Sequence, residues 1–376
     1  MTLAYDALVL VGFGGPTGPD DVMPFLQRVT AGRPVPLHRL EEVAARYLEL
    51  GGTSPIVAQT EALLADLVTR LAARGLSVPA YLGHRNCDPT VPDTLAQVAA
   101  DGHTRVLALA SSAFPSYSGC RQYRENLGAG LTAAPGLAVR SLGPFPALPG
   151  LVEASADLLA TALASAGPDA TVLVTAHSLP LASAATSGPE GGGYVAALER
   201  SAAAVLARAT TLAGMPREPV WRLVFQSRSG SPQVPWLEPD VCDAIREIAS
   251  GATAQTVLVV PLGFLTDHTE VLWDLDREAA DAAAAAGLGF IRVPTVGTHP
   301  AFLDGLADLL AAHLEGRAPA PAEPAFCSDR CCPSPPPGRP ESGVSAHGIP
   351  PTAPAQPTVP PTWAPEPLSR AAQMEG

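Results

Sequence analysis

Residues 171–180 read TVLVTAHSLP, an apolar and β-branched run that ends at a histidine. A short run of this kind predicts a buried β-strand. Seven other runs share this character, and most are separated by Ala- and Leu-rich segments whose apolar residues recur at helical spacing. Alternation of strands and helices predicts an α/β fold, with parallel sheets covered by helices on both faces.

The predicted strands fall into two runs of four along the chain. They are Ala7–Val11, Val78–Leu82, Arg105–Ala110, Leu137–Leu142, Thr171–Thr175, Trp221–Phe225, Thr256–Pro261 and Gly289–Val293. The long predicted helices are Pro55–Ala73, Leu148–Ala166, Tyr194–Ala213 and Val271–Ala286. Two similar Rossmann-like lobes are therefore expected, each with a four-stranded parallel sheet. A ligand is expected in the crevice between them, at the carboxyl ends of the strands.

The chain has 376 residues, enough for two such lobes. We predict an N-terminal lobe over residues 1–145 and a C-terminal lobe over residues 146–317. A cysteine-containing segment follows at 318–332. Residues 333–376 are dominated by Pro, Ala, Ser and Gly without apolar periodicity, and this composition predicts a disordered tail.

Charge and hydropathy exclude several classes of protein. The net charge of −13 argues against a nucleic-acid partner, because phosphate binding requires a basic surface. The N-terminus has no basic segment before its short apolar run, and no stretch approaches the roughly 20 apolar residues of a membrane helix. These features predict a cytoplasmic protein without an integral membrane segment. Its six cysteines are then not expected to form structural disulfides.

The stretch TAHSLP at residues 175–180 follows the apolar run 171–174, and His177 lies just past the carboxyl end of this strand, so its side chain is expected to project into the ligand crevice. A neutral imidazole there can accept a proton or bind a metal near pH 7. A hydrogen-bonded histidine at a strand end, with no chemical role, fits the same pattern.

A second polar stretch, GFLTDHTEVLWDLD at residues 263–276, also follows an apolar strand. Asp267, Glu270, Asp274 and Glu278 fall at helical spacing and can line one face. An acidic, solvated first turn of a helix explains this pattern without any function. Trp273 indicates partial burial, however, and buried carboxylates are costly unless they meet cations such as a divalent metal ion. A His and a Glu facing each other would suit a reaction that removes two protons and delivers one Fe²⁺.

The glycine-rich turn VGFGGP at residues 11–16 superficially resembles a dinucleotide fingerprint. The glycine spacing is wrong for that motif, and Pro16 interrupts the expected helix start. A wide turn that brings the backbone and Phe13 against a flat ligand fits better.

Cys327, Cys331 and Cys332 lie close together, and Cys120 lies in a distant Tyr-Ser-Gly-Cys stretch. Four thiolates can hold zinc or an iron–sulfur cluster. Free thiols on a loose segment are the alternative. Cys87 and Cys242 are isolated in sequence and are predicted to be packed in the core.

Together, these motifs resemble those of ferrochelatases, in order and spacing, from near the start of the chain to about residue 332. The matching pieces are GFGGP (12–16), Arg46-Tyr47, GGTSP (51–55), Tyr117-Ser118, AHSLP (176–180), QSRSG (226–230), WLEP (236–239) and the stretch 263–276. The resemblance implies a chelatase fold with a porphyrin in the cleft between two Rossmann-like lobes.

The resemblance also implies roles for particular residues. His177 and Glu270 are implied as the catalytic pair that handles Fe²⁺, with His177 as proton acceptor and inner iron contact. Asp274 and Glu278 are implied as an outer ladder for Fe²⁺ or for departing protons. Positions that match tetrapyrrole contacts are Ser54, Arg46, Tyr47, Tyr123 and Phe13.

Phe13 departs from some relatives that use coproporphyrin III. Those proteins carry a tyrosine at this position, and its phenol ligates iron. Phe13 has no oxygen, so this ligand is absent here or is supplied by another group.

The cysteine pattern resembles a branch of the family that carries a [2Fe–2S] cluster. Its implied ligands are Cys120, Cys327, Cys331 and Cys332, with a structural or regulatory role, because Fe²⁺ insertion is not a redox step. The same branch implies coproporphyrin III as the substrate, coprohaem as the product in haem biosynthesis, and transfer to a coprohaem decarboxylase from a monomeric enzyme. Protoporphyrin IX is the alternative substrate, and a non-catalytic haem or Fe–S sensor is the alternative class.

Overall fold

Within the described part of the computed structural model, eight parallel strands form two four-stranded sheets. The described residues are 3–32, 35–167, 169–229, 233–251, 255–318 and 331–334. Cys327 lies outside them, as does the predicted tail except for its first two residues. The strands are β1 (Ala7–Gly12), β2 (Ala80–His84), β3 (Arg105–Ala110), β4 (Ala138–Ser141), β5 (Ala170–His177), β6 (Val220–Gln226), β7 (Thr256–Val260) and β8 (Gly289–Arg292).

The two sheets repeat one topology, with strand orders β2-β1-β3-β4 and β6-β5-β7-β8. The predicted α/β fold with two parallel four-stranded sheets is therefore confirmed. In each lobe the first strand along the chain is central and pairs with the next two. The β5–β7 pair matters most for function, because the loops that follow these two strands emerge side by side at one edge of the sheet.

Helices cover both faces of each sheet. Their bounds are α1 (Val22–Val29), α2 (Leu37–Glu49), α3 (Ile56–Ala73), α4 (Val91–Ala100), α5 (Gln122–Gly130), α6 (Pro149–Ala166), α7 (Leu181–Ala185), α8 (Gly193–Leu212), α9 (Val241–Ser250), α10 (Thr269–Val271), α11 (Ala280–Ala285) and α12 (Pro300–Leu314). A 3₁₀ turn lies at Pro19–Asp21.

Successive side chains of a strand point to opposite faces of the sheet, so a continuous apolar run packs against helices on both faces. Every residue of β1 is buried. Leu8 and Leu10 join the apolar cluster that contains α3, whereas Val9 and Val11 join the cluster that contains α4 and α5. Uninterrupted apolar strands are thus the sequence signature of sheets covered on both sides.

Two segments form π-helices: π1 (Tyr117–Arg121) and π2 (Leu272–Ala279). The sequence predicts one continuous helix over Val271–Ala286, and the structure divides this region into α10, π2 and α11. Hydrogen bonds of the i→i+5 type widen the turn, and such segments are concentrated at functional sites. Residues four positions apart in π2 still share one face.

Helix α12 ties the lobes together behind the cleft. It follows the last strand of the C-terminal lobe and packs against both α6 and α3, the latter from the N-terminal lobe. Arg70 Nη1 lies 2.5 Å from Asp304 Oδ1, and Arg74 Nε lies 2.7 Å from Asp308 Oδ1. One apolar cluster runs through both lobes, and the described residues belong to one compact unit. The cleft is therefore backed by a continuous core.

Helices α6 and α12 cross with their backbones in contact at two glycines. A β-carbon on Gly150 would lie 2.3 Å from the Ala301 carbonyl oxygen, and one on Gly305 would lie 2.9 Å from the Gly150 Cα. Both opposing atoms are backbone, which cannot rotate away. These positions therefore require glycine because of close approach.

We predict that Gly150→Ala destabilises the protein by about 2 kcal/mol or more, because the added methyl group forces the helices apart. Gly128 in α5 is the matched control, since no atom lies within 4 Å of the position of its missing β-carbon. Gly128→Ala is expected to stabilise by about 0.5–1 kcal/mol through helix propensity. Urea unfolding measures both changes, and equal effects would contradict the proposed close contact.

Candidate functional site

His177 is the last residue of β5, and its imidazole faces Glu270. The ring Nδ1 lies 2.6 Å from the Ser178 carbonyl oxygen. A carbonyl can only accept a hydrogen bond, so Nδ1 carries the proton and the neutral ring keeps its lone pair on Nε2. Nε2 lies 3.8 Å from Glu270 Oε2, and both side chains are partly exposed. The arrangement presents one nitrogen and one oxygen ligand to the same space.

The peptide unit between His177 and Ser178 is held from both sides. The Ser178 N–H donates to the Gln226 carbonyl at 2.8 Å, and the buried Tyr194 hydroxyl donates to the His177 carbonyl at 2.9 Å. The Ser178 hydroxyl also donates to the Leu237 carbonyl at 2.9 Å. These contacts fix the base from which the imidazole projects.

Glu270, Asp274 and Glu278 form an acidic ladder that begins in α10 and continues along π2. The middle carboxyl group is only 8% exposed. Its burial, followed by repulsion from the two flanking glutamates, raises the pKa of Asp274 to about 7. Asp274 can therefore hold a proton at neutral pH.

Two residues at the end of β6 hold Asp274. The Ser227 hydroxyl donates a short hydrogen bond to Asp274 Oδ2, and Gln226 Nε2 approaches the same oxygen at 3.5 Å. Ser227 has a φ of 60°, in the left-handed region that non-glycine residues rarely adopt. The strained backbone of Ser227 therefore occurs at the residue whose hydroxyl binds Asp274 in the ladder.

Asp267, which the sequence groups with this ladder, has a different environment. Its carboxylate pairs with Arg292 at 3.0 Å and accepts a hydrogen bond from the Thr295 hydroxyl at 3.2 Å. Its backbone N–H donates to Gln59 Oε1 at 2.8 Å, which links the two lobes. The grouping is therefore wrong for Asp267, because Arg292 in β8 neutralises it before the helix begins.

The outer end of the ladder meets helix α2 of the N-terminal lobe. Arg46 Nη1 lies 3.8 Å from Glu278 Oε1, and its guanidinium lies 5.3 Å from the centre of the Trp273 ring. Trp273 Nε1–H donates to Glu278 Oε1 at 2.7 Å. A second ion pair joins Arg277 to Glu49 at 3.1 Å. These half-exposed contacts span the cleft at its outer end.

An aromatic wall faces the ladder from the N-terminal lobe. The Phe13 and Phe25 rings lie 6.3 Å apart, and the Phe25 and Tyr47 rings lie 6.0 Å apart. Tyr47 is 7% exposed, and burial followed by the charges of Glu270 and Asp274 raises its pKa well above the usual range. The wall is therefore close enough to the ladder for an electrostatic effect.

Arg85 is a cleft residue that the sequence analysis did not single out. Its guanidinium lies 5.3 Å from the Phe13 ring centre and 4.7 Å from that of Tyr123, and its Nε–H donates to Asn126 Oδ1 at 2.8 Å. It follows the carboxyl end of β2, as Ser178 follows that of β5. Extending the predicted strand from Leu82 to His84 would have identified it.

The other residues implied as substrate contacts differ in accessibility. Ser54 is 4% exposed behind the glycine turn, where its N–H donates to the Pro16 carbonyl at 2.9 Å. Tyr123 is also 4% exposed, beneath Arg85. Phe13 is partly exposed and the Arg46 side chain is half exposed. Arg28 lies near this wall and donates to the Asn86 carbonyl at 3.3 Å.

His268, also missed by the sequence analysis, lies close to His177 and Glu270. Burial lowers its pKa, and the charge of Glu270 opposes this shift. Its ring packs against Phe264 at 5.1 Å between centres. His268 therefore provides a neutral, packed support for the start of α10.

Three cysteines come together away from the cleft. Cys120 in π1, Cys331 and Cys332 are buried and form one cluster. Cys332 Sγ lies 3.9 Å from Cys120 Sγ and 3.9 Å from Cys331 Sγ, and it accepts a hydrogen bond from the Gly188 N–H at 3.1 Å.

The described residues show no further metal site and no membrane-spanning helix. Among these residues no group of three or more His, Cys, Asp or Glu side chains could hold a metal ion. Likewise, no helix within the described ranges has the length and apolar character to cross a membrane. Cys87 and Cys242 are buried, as predicted. A cytoplasmic location stays a prediction.

Comparisons with known proteins show the family of the chain. The ferrochelatase family model matches residues 5–314. The chain is 46% identical over 339 residues to the coproporphyrin III ferrochelatase of Propionibacterium freudenreichii subsp. freudenreichii, with coverage of 88% of this chain and 95% of the relative. It is 47% identical over 343 residues to the coproporphyrin III ferrochelatase of Frankia alni, with coverages of 88% and 87%.

Solved structures with a similar fold are more distant. The sirohydrochlorin chelatase SirB from Bacillus subtilis subspecies spizizenii, in complex with cobalt, is 13% identical with a TM-score of 0.46 and covers 82% of this chain and 95% of its own. CbiX, described as the terminal enzyme for biosynthesis of sirohaem in denitrifying bacteria, is 18% identical with a TM-score of 0.48, and the coverages are 82% and 99%. The assignment therefore depends on the sequence relatives and on the sheet topology.

We predict that Asp274→Asn makes the protein more stable than the wild type above pH 7, by about 2–4 kcal/mol. The Asp274 pKa is higher in the folded chain, so wild-type stability falls as pH rises from about 4 towards about 7 and then levels off. Asparagine does not titrate, so the variant lacks this contribution to the pH dependence of stability. Urea unfolding between pH 5 and pH 8 measures the free energy of unfolding of both proteins.

Asp243→Asn, at an exposed carboxylate of α9, is the matched control and is expected to change stability by less than about 1 kcal/mol. An Asp274→Asn variant whose stability follows the same pH dependence as the wild type would show that this carboxyl group is ionised throughout.

Proposed function

Because the chain belongs to the ferrochelatase family, we propose that it inserts Fe²⁺ into coproporphyrin III, with release of two protons, to give coprohaem in haem biosynthesis. In reaction class this makes it a metal chelatase and a lyase. The proposal is supported by curated relatives named coproporphyrin III ferrochelatase that are 41–47% identical over most of the chain. Its main structural support is the opposition of His177 Nε2 and Glu270 Oε2 across 3.8 Å.

The width of this gap suits a first-row divalent ion. Such ions bind imidazole nitrogen and carboxylate oxygen at about 2.0–2.2 Å, so a nitrogen and an oxygen on opposite sides of the ion lie about 4 Å apart. Imidazole with carboxylate is also a ligand set that suits Fe²⁺. Fe²⁺ that exchanges water for these two ligands is positioned for transfer to the pyrrole nitrogens. Bending the ring towards the metal costs roughly 1–5 kcal/mol, which binding elsewhere on the ring offsets.

The acidic ladder provides a route for the two pyrrole protons. His177 Nε2 has the lone pair to accept the first of them. Glu270 and Asp274 follow along the ladder, and the Asp274 pKa of about 7 lets this group take up and release a proton near neutrality. Glu278 delivers protons to solvent at the outer end, where its side chain is half exposed.

Arginines of the N-terminal lobe are suited to the propionates of the substrate. Arg28, Arg46 and Arg85 lie around the aromatic wall, and a guanidinium can bind a carboxylate through two parallel hydrogen bonds. Coproporphyrin III carries four propionates and protoporphyrin IX carries two, so several cations favour the former. Ser54, Tyr47 and Tyr123 are nearly buried and would support the binding surface from behind. Phe13 is partly exposed and is suited to contact the ring face without supplying an iron ligand.

We further propose that Cys120, Cys331 and Cys332, together with Cys327, hold a [2Fe–2S] cluster. The three described cysteines do not form a metal site by themselves. The proposal is supported by their common burial, by two sulfur–sulfur separations of 3.9 Å and by an N–H group that donates to one of the sulfurs, and Cys327 would supply the fourth thiolate. When bound, the cluster supplies an iron–thiolate cross-link between π1 of the N-terminal lobe and the segment that follows α12.

We predict that His177→Ala abolishes iron insertion and leaves coproporphyrin III binding within about threefold of the wild type. The variant removes the inner ligand and proton acceptor but none of the proposed propionate contacts. Anaerobic absorbance with Fe²⁺ and coproporphyrin III measures insertion, and fluorescence titration measures binding.

The same absorbance assay distinguishes the candidate functions of the wild type. Faster insertion into coproporphyrin III than into protoporphyrin IX is expected. A preference for protoporphyrin IX would reassign the substrate. Binding of either ring without metal insertion would favour the sensor. Wild-type turnover by His177→Ala would remove this residue from the mechanism.

We predict that protein purified without oxygen contains two iron atoms per chain with the visible absorption of a [2Fe–2S] cluster, and that Cys120→Ser loses both. Cys242→Ser removes a buried thiol elsewhere and is expected to keep them. Wild-type protein that contains neither iron nor sulfide after anaerobic reconstitution would refute the cluster.

A further inference from the structure

A continuous chain of buried hydrogen bonds links the cysteine cluster to the backbone of His177. It begins at Cys332, whose N–H donates to the Thr186 carbonyl at 3.2 Å. The Cys332 sulfur accepts a hydrogen bond from the Gly188 N–H at 3.1 Å. Both partners belong to the loop after α7, so Cys332 holds this loop at two points.

Ser187, which lies between these two contacts, connects the loop to helix α8. It is fully buried, and its hydroxyl donates to the Ala184 carbonyl at 2.6 Å and accepts from the Tyr194 N–H at 2.8 Å. The Ser187 carbonyl accepts from the Gly193 N–H at 2.8 Å. Ser187 thus fixes the first turn of α8 to the loop that Cys332 holds.

The loop itself is tightly packed. Gly188 has a φ of +77°, and a β-carbon on it would lie 3.2 Å from the Gly193 Cα. Close-packed backbone of this kind transmits a displacement because it has no space to absorb it. A shift at Cys332 is therefore passed to the start of α8.

Tyr194 completes the chain. It is 5% exposed, and its hydroxyl donates to the His177 carbonyl at 2.9 Å. Burial raises the pKa of Tyr194, so it remains a donor at every physiological pH. This bond holds one side of the 177–178 peptide, and the bond between the Ser178 N–H and the Gln226 carbonyl holds the other.

The orientation of the 177–178 peptide controls the orientation of the imidazole ring. His177 Nδ1 donates to the carbonyl of Ser178, the residue whose N–H belongs to this peptide. Rotation of the peptide would therefore turn the ring and move Nε2 relative to Glu270. A displacement of about 1 Å at a catalytic group is enough to lower a rate by one to two orders of magnitude.

We propose that Tyr194 is a positioning residue for His177, and that Cys332 sets its position through the loop 186–188 and Ser187. The proposal rests on the proposed function, because it assigns to His177 a role in metal insertion. Loss of the contacts made by Cys332 relaxes the loop, shifts Tyr194 and lowers turnover without touching the cleft.

The test compares Tyr194→Phe, Cys332→Ala and the double variant in anaerobic Fe²⁺ insertion. Each single change is expected to lower kcat about tenfold and to leave the KM for coproporphyrin III within twofold, because substrate contacts are intact. If both residues act through one chain of contacts, the kcat of the double variant is also lowered about tenfold. Two independent effects would multiply and lower kcat about a hundredfold.

Tyr81→Phe is the matched control, since it also removes a tyrosine hydroxyl, here one that donates to Asp101 on the distant surface at 2.7 Å. It is expected to keep wild-type kcat. Ser187→Ala breaks the same chain without altering a cysteine, and a fall in kcat is expected, so the test holds even where Cys332→Ala does not fold.

Three results have distinct meanings. Wild-type protein that inserts no iron refutes the proposed function itself. Wild-type turnover with unchanged kcat in Tyr194→Phe overturns the positioning role alone. A double variant whose kcat falls about a hundredfold, as the product of the two single losses, overturns the link between Cys332 and Tyr194.

Discussion

The hydrogen bond from His177 Nδ1 to the Ser178 carbonyl is the interaction on which the site depends. It fixes the tautomer, leaves the lone pair on Nε2 and aims that nitrogen at Glu270. The adjoining 177–178 peptide is held by Gln226 at the end of β6 on one side and by Tyr194 on the other. The parallel pairing of β5 with β7 then brings the loop that carries Glu270 alongside.

The rest of the fold supports this arrangement. The inner strands β1, β3, β5 and β7 are almost entirely buried, and α12 packs against helices of both lobes. This support offsets the cost of a ladder of carboxylates in which Asp274 is nearly buried. In the proposed reaction, a divalent ion or a shared proton would neutralise part of the repulsion among these carboxylates.

The sequence predicts most of the fold because apolar periodicity is a local property. All eight strands lie within three residues of their predicted ends. The π2 segment is not predictable from the sequence, because apolar spacing and helix propensity do not distinguish i→i+5 from i→i+4 hydrogen bonding. Asp267 was grouped with the ladder because its partner Arg292 lies in another strand.

The same distinction between local and distant contacts applies to the site. His177 and Glu270 are visible in the sequence as polar residues after apolar strands, whereas Arg85 was hidden by a strand end placed two residues too early. In the sequence, Tyr194 is indistinguishable from an ordinary core residue at the start of a predicted helix. Its contact with the His177 carbonyl arises from the way α8 packs against α6, α7 and β6, which no local pattern encodes.

The central claim is that His177 and Glu270 hold the incoming metal between them. Anomalous diffraction from crystals grown with coproporphyrin III and soaked with Co²⁺ without oxygen tests it most directly. The account predicts a metal peak within about 2.0–2.3 Å of both His177 Nε2 and Glu270 Oε2. A metal bound elsewhere in the cleft, with neither of these two atoms among its ligands, would contradict it.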